Sequence, residues 1–142
     1  MSVAVAIDGA RNELRELPDV LTFIEPPPGM VQLTRFDLDA LDDSGFLFAL
    51  RSLETTSVRL FVIPPQAYFP TYAPEASEQV REALGMDATS QPVLLAVVTP
   101  GEGEPTTVNL LAPIVVNPAT GAAAQVVLDG DEWPLRAPLG TD

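Results

Sequence analysis

Fifteen prolines and nine glycines interrupt this chain of 142 residues so often that no long helix can form. Each interior proline removes a helical hydrogen bond and clashes with the preceding turn, and each glycine carries an entropic penalty. Between the breaks lie short apolar runs rich in Val, Ile, Leu and Phe, at 3–7, 20–24, 31–38, 46–50, 59–63, 93–99, 106–111, 114–117 and 124–128. Short strands separated by turn residues predict an all-β sandwich or barrel of antiparallel strands, in one domain over 1–142.

The runs differ in pattern. "RLFVIPP" and "PVLLAVVTP" are continuously apolar and read as strands buried on both faces. "LTRFDLDAL" alternates, which places Arg35, Asp37 and Asp39 on a wet face. One short helix is expected at about 75–84, with Val80, Ala83 and Leu84 on its apolar face and Gly85 as its cap, starting from either Pro74 or Ser77. "NPATG" (117–121) describes a type I turn closed by a left-handed Gly121, so strands ending at Asn117 and beginning near Ala123 should pair. "PPPGM" (26–30) reads as a stiff connection and "PGEGEPT" (100–106) as an exposed hairpin link.

Seven basic residues, all arginine, against twenty carboxylates give a formal charge of -13. Nucleic acid requires cations that displace its counterions, so direct nucleic-acid binding is excluded as an expectation. The acidity serves solubility or an acidic face that steers a basic protein partner, and charge does not choose between them. Histidine, lysine and cysteine are all absent. This removes Ser-His-Asp and Cys-His nucleophiles, Schiff-base lysines and nearly every zinc or haem site. The acidic cluster Asp37, Asp39, Asp42, Asp43 lacks the spacing of a calcium loop and reads as a solvated strand edge, as does "LDGDEW" (128–133). No enzyme activity, cofactor or metal is therefore expected. "MSVAVAIDGA" lacks the basic start and apolar core of a signal peptide, and no run approaches membrane-spanning length, so the expected location is the cytoplasm.

What remains are aromatic and polar residues in unusual places. Tyr68, Phe69 and Tyr72 sit among Pro64, Pro65 and Pro70, either plugging an open barrel end or forming a contact surface on stiff backbone. Trp133 and Arg136 in "EWPLRAPL" present the same choice between core lid and recognition surface. In "TVNLLAPIVVNPATG" (107–121) Pro113 marks a bulge or an edge between strands, because proline cannot donate to a central ladder. Asn109 must find partners, so it either ties a loop to the wall or sits at a rim. Tyr68, Phe69, Tyr72, Asn109, Asn117 and Arg136 are the expected partner-binding residues.

These blocks, in this order, resemble the family of the flagellar assembly factor FliW: "LPDVLTF" (17–23), a Pro-Gly loop (28–29) leading to "RFDL" (35–38), "FLFALRSLE" (46–54), "LFVIPPQAYFPTY" (60–72), "LGM" (84–86), "VLLAVVT" (93–99), "TVNLLAPIVVNPATGAAAQVVL" (107–128) and "WPLR" (133–136). The resemblance implies a small, partly open β-barrel that is a protein-binding regulator. Its implied partners are flagellin and the RNA-binding translational repressor CsrA (carbon storage regulator), whose repression of flagellin synthesis it relieves. A monomer is expected. Met30 departs from the family pattern, which has an aromatic residue after the Pro-Gly step. A different class stays open, an acidic β-barrel that binds a small ligand or sugar.

Overall fold

The computed structural model describes residues 2–8, 13–24, 34–41, 47–55, 57–69, 72, 74, 77–87, 92–99, 106–128 and 133–138. The Pro26–Met30 loop, Asp42, Asp43, the 100–105 link and Asp129–Glu132 lie outside them. Strands β1 (Ser2–Asp8) and β2 (Glu13–Pro18) pair with each other in a two-stranded sheet. The larger sheet contains β3 (Val20–Phe23), β4 (Arg35–Ala40), β5 (Phe48–Ser52), β6 (Arg59–Ile63) and β7 (Val93–Thr99). It continues with β8 (Thr107–Val108), β9 (Ile114–Val116), β10 (Ala122–Gln125) and β11 (Ala137–Pro138). The expected all-β fold is thus present.

The order β7-β6-β5-β4-β3-β10-β9, with β9 returning to β7, makes a closed ring. The expectation of a partly open barrel holds only for β8 and β11, which extend from β7 outside the ring. One pairing departs from the antiparallel expectation: β10 runs parallel to β3, Ala122 opposite Thr22. Ring closure accounts for this, because the turn at 117–121 fixes only the antiparallel β9–β10 pair. The turn returns the chain antiparallel along β9, and β10 then meets β3 with Thr22 N–H donating to the Gly121 carbonyl at 2.9 Å.

Alternation sorts the side chains into two clusters. Inside the barrel lie Leu21, Phe36, Phe48, Leu50, Val62 and Leu95, all fully buried. Phe23 and Phe36 meet edge to face at 5.4 Å. Val5 and Leu17 of the β1–β2 pair join this cluster. Each such side chain contributes about 1.5–3 kcal/mol by leaving water. The second cluster lies outside the wall, where Leu94, Ala96, Val98 and Val115 face outward and are covered. β7 is therefore buried on both faces, as its continuous apolar run predicts. In β6 only Val62 and Ile63 are fully buried. β4 alternates as expected, with Phe36 and Leu38 inward and Arg35, Asp37 and Asp39 on the wetter face.

Helix α1 (Pro65–Tyr68), one turn long, lies in the proline-framed aromatic stretch, where no helix was expected. Pro65 stands at the first helical position, where its missing N–H costs nothing. Helix α2 (Glu78–Ala83) is shorter than the expected 75–84 and starts after Ser77, whose Oγ accepts the Val80 N–H at 3.2 Å. It ends in a Schellman motif: Met86 N–H reaches the Arg81 carbonyl at 2.8 Å, Gly85 N–H reaches Glu82 at 3.0 Å, and Gly85 holds φ +75°. Val80 and Leu84 face the outer cluster as expected. Ala83 instead faces solvent, and Met86 takes its place against the wall.

Candidate functional site

The stretch 107–116 follows β7 as an interrupted strand. Val108 faces Val98 and Ile114 faces Leu95, so six residues on one side span three on the other. The surplus is a bulge over Asn109–Pro113, and it begins where Asn109 Oδ1 accepts the Ala112 N–H at 3.0 Å. Asn109 Oδ1 therefore closes its own turn rather than tying a distant loop. Pro113, with no N–H to place, stands immediately before β9, where the register resumes. Backbone groups from Leu110 to Pro113 that the bulge removes from the ladder find partners elsewhere, as a buried backbone requires. Leu110 N–H donates to the Pro134 carbonyl at 3.1 Å, and Leu128 N–H to Leu111 at 2.8 Å. The Val126 N–H donates to the Pro113 carbonyl at 3.0 Å, and Gln125 Nε2 donates to Ala112 at 3.0 Å.

The Leu110 carbonyl accepts the Tyr72 hydroxyl at 2.7 Å. Tyr72 is fully buried and packs edge to face on Trp133, ring centres 4.7 Å apart. Burial alone pushes its phenol well above the ordinary value of 10.0. Upstream, the Tyr72 N–H bonds the Phe69 carbonyl, Phe69 N–H bonds Pro65, and Gln66 Nε2 bonds the Tyr72 carbonyl at 3.1 Å. The aromatic stretch is thus a folded cap on the outer wall. It does not plug the barrel end: Tyr72 and Phe69 belong to the outer cluster, while Tyr68 is 39% exposed.

Asn117 secures the other side of this layer. Its Oδ1 accepts Ala119 N–H at 3.0 Å, its carbonyl accepts Gly121 N–H at 2.8 Å, and its Nδ2 donates to the Leu84 carbonyl at 2.8 Å. The expected turn is present, and it also holds the C-terminal end of α2. Gly121 has φ +84°, and a Cβ there would stand 2.6 Å from the Val20 carbonyl oxygen.

The six expected contact residues therefore separate by role. Tyr72 and Asn117 are buried with their polar atoms engaged within the chain, so they position the outer layer and do not themselves reach a partner. Asn109 shapes the bulge. Tyr68 and Arg136 are exposed and Phe69 is half-buried. Three features went unread in the sequence: Leu135 at 54% exposure, Val127 at 66%, and the Gln125 amide that secures the bulge. A lone polar side chain in an alanine run was the available signal for Gln125. Asp37 and Asp39 lie on the wetter outer face of β4. Among the described residues no group of three or more carboxylates is placed to hold a metal. No helix among them is long and apolar enough to cross a membrane.

Comparison with known proteins agrees with this geometry. The family model described as FliW protein matches residues 12–139. The flagellar assembly factor FliW of Thermoanaerobacter pseudethanolicus is 33% identical over 124 residues, covering 85% of this chain and 82% of that protein. That of Heliobacterium modesticaldum is 36% identical over 134 residues, covering 92% and 87%. A crystal structure of the flagellar assembly factor FliW superposes with a TM-score of 0.78 at 24% identity, over 100% of this chain and 99% of that one, and shows the same fold.

Proposed function

Because the chain belongs to the FliW family of flagellar assembly factors, we propose that it is a non-enzymatic, cytoplasmic regulator that binds flagellin and the translational repressor CsrA. The observation that carries this reading is the outer layer. Side-chain and backbone bonds fix it to the barrel wall, yet it presents Tyr68 and Leu135 to solvent. Apolar side chains held on rigid backbone lose little entropy on binding, which is what a docking surface requires. An amphipathic helix of flagellin is the complementary ligand, read through its apolar face. The charge of -13 steers a basic RNA-binding repressor and rejects its RNA.

The barrel interior, filled by fully buried Leu and Phe side chains, favours this surface over an internal ligand site. Calorimetric titration with the cognate flagellin and repressor tests the proposal. Complex formation weakened about tenfold by Tyr68→Ala or Leu135→Ala supports it. Absence of any complex with either protein at low salt overturns it.

A further inference from the structure

The cluster beneath the outer layer stops at Leu47, Phe61 and Ile63. Beyond it, the outward side chains of β4, β5 and β6 line up in rows. Asp37 stands opposite Arg51, and Arg51 stands opposite Arg59. Arg59 places its guanidinium 4.9 Å from the centre of the Phe61 ring. Arg35, nearby on β4, is occupied by Glu54: Nε and Oε2 are 3.8 Å apart, and Oε1 accepts the Arg35 N–H at 3.1 Å. That N–H lowers the Glu54 carboxyl below its usual range; burial opposes it, and the Thr34 N–H and the Arg35 charge add smaller lowering effects.

Neither Arg51, which has Asp37 across from it on β4, nor Arg59, which faces Arg51, is held in such a contact. Among the described residues neither has a carboxylate within 4.0 Å. Like charges directly opposite one another destabilise a strand pair. The attraction of a guanidinium to an aromatic face accounts for Arg59 over Phe61. It does not account for a second arginine facing the first on a chain with so few cations. Two planar guanidinium forks across one strand pair match a carboxylate, which each can bond through two donors. Half-buried Phe61 and exposed Leu53 lie on either side of the pair.

We propose that the outer face of β5 and β6, centred on Arg51, Arg59 and Phe61, docks an extended segment of a protein partner that carries one carboxylate between apolar side chains. A single charge fits better than a polyanion, because the net charge of -13 repels the latter. At physiological salt the Debye length is about 8 Å, so distant acids are screened while a contact pair is not. This face meets the outer layer invoked for flagellin and the repressor at Phe61, which packs against that layer's cluster.

The test uses two capped pentapeptides, Thr-Val-Glu-Val-Thr and its glutamine counterpart, titrated into isotope-labelled full chain at physiological salt and followed by amide NMR shifts. The glutamate peptide is expected to shift amides of β5 and β6 and to bind about 5-fold more tightly than the glutamine peptide. That preference is expected to disappear in the Arg51→Ala/Arg59→Ala variant, and Arg51→Gln alone carries the comparison if the double variant does not fold. Absence of shifts on these strands, equal binding of the two peptides, or a glutamate preference that survives in the variant each overturns the proposal.

Discussion

The hydroxyl of Tyr72 and the carbonyl of Leu110, 38 positions apart in the chain, meet at 2.7 Å with no exposure to solvent. One end of this bond is the oxygen that the Asn109–Pro113 bulge takes out of the β7 ladder. The other is the last aromatic residue of the cap that begins at α1. Bulge and cap thus satisfy each other, and the surface carrying Tyr68 is set by a feature of the barrel wall.

Tyr72→Phe removes the donor and leaves a buried carbonyl without it. The expected loss is about 1–3 kcal/mol in urea unfolding, with the ring contact to Trp133 retained. Binding of flagellin should weaken beyond what the stability loss explains, because the exposed part of the cap loses its anchor. Unchanged stability would show that the bond contributes nothing net.

Gly121 and Gly85 both adopt positive φ, at +84° and +75°, yet their surroundings differ. A Cβ on Gly85 meets nothing within 4 Å, so Gly85→Ala is expected to cost about 1–2 kcal/mol, the conformational penalty alone. A Cβ on Gly121 meets the Val20 carbonyl oxygen at 2.6 Å, so Gly121→Ala adds a steric cost of about 1–3 kcal/mol. Denaturation midpoints of the two variants should therefore fall in that order, Gly121→Ala lower.

Much of this was legible from local chemistry. The 117–121 turn, the Schellman end of α2 and the inward set of β4 follow from residues a few positions apart. The distant bonds were not legible. Asn117 reads fully as a turn residue, and nothing in "NPATG" reports that its amide also reaches Leu84. Tyr72 and Asn117 were expected at the partner surface because aromatic and polar side chains in a proline-rich or apolar setting look out of place. Burial with satisfied partners is the other way such residues persist, and sequence does not separate the two. The parallel β3–β10 pair was equally hidden, since pairing direction between strands far apart in the chain depends on how the ring closes.

Asn117→Ala removes the donor to Leu84 and the acceptor for Ala119 together. About 2–3 kcal/mol is expected, two ordinary hydrogen bonds plus a buried carbonyl left short. Native-state hydrogen exchange should show the α2 amides opening faster than those of β7, since the helix loses its tie while the barrel ladder keeps its own. Uniform acceleration across both elements would place the role of Asn117 in the barrel instead.

Alkaline stability gives a separate measure of the Tyr72 environment. Its phenol is held above the ordinary 10.0 by burial, so the folded chain keeps the proton that the unfolded chain gives up. The stability from that difference is complete below about pH 10 and is lost as the pH rises toward the raised folded value. The limiting slope is about 1.4 kcal/mol per pH unit for one proton. The window is unusually clean, because the chain has no lysine and no cysteine to titrate there, and only one other tyrosine. Denaturant unfolding from about pH 9 to about pH 11 should show this loss in the native chain. Tyr72→Phe, starting from lower stability, should lose less over the same range, and equal slopes in the two proteins would remove Tyr72 as its source.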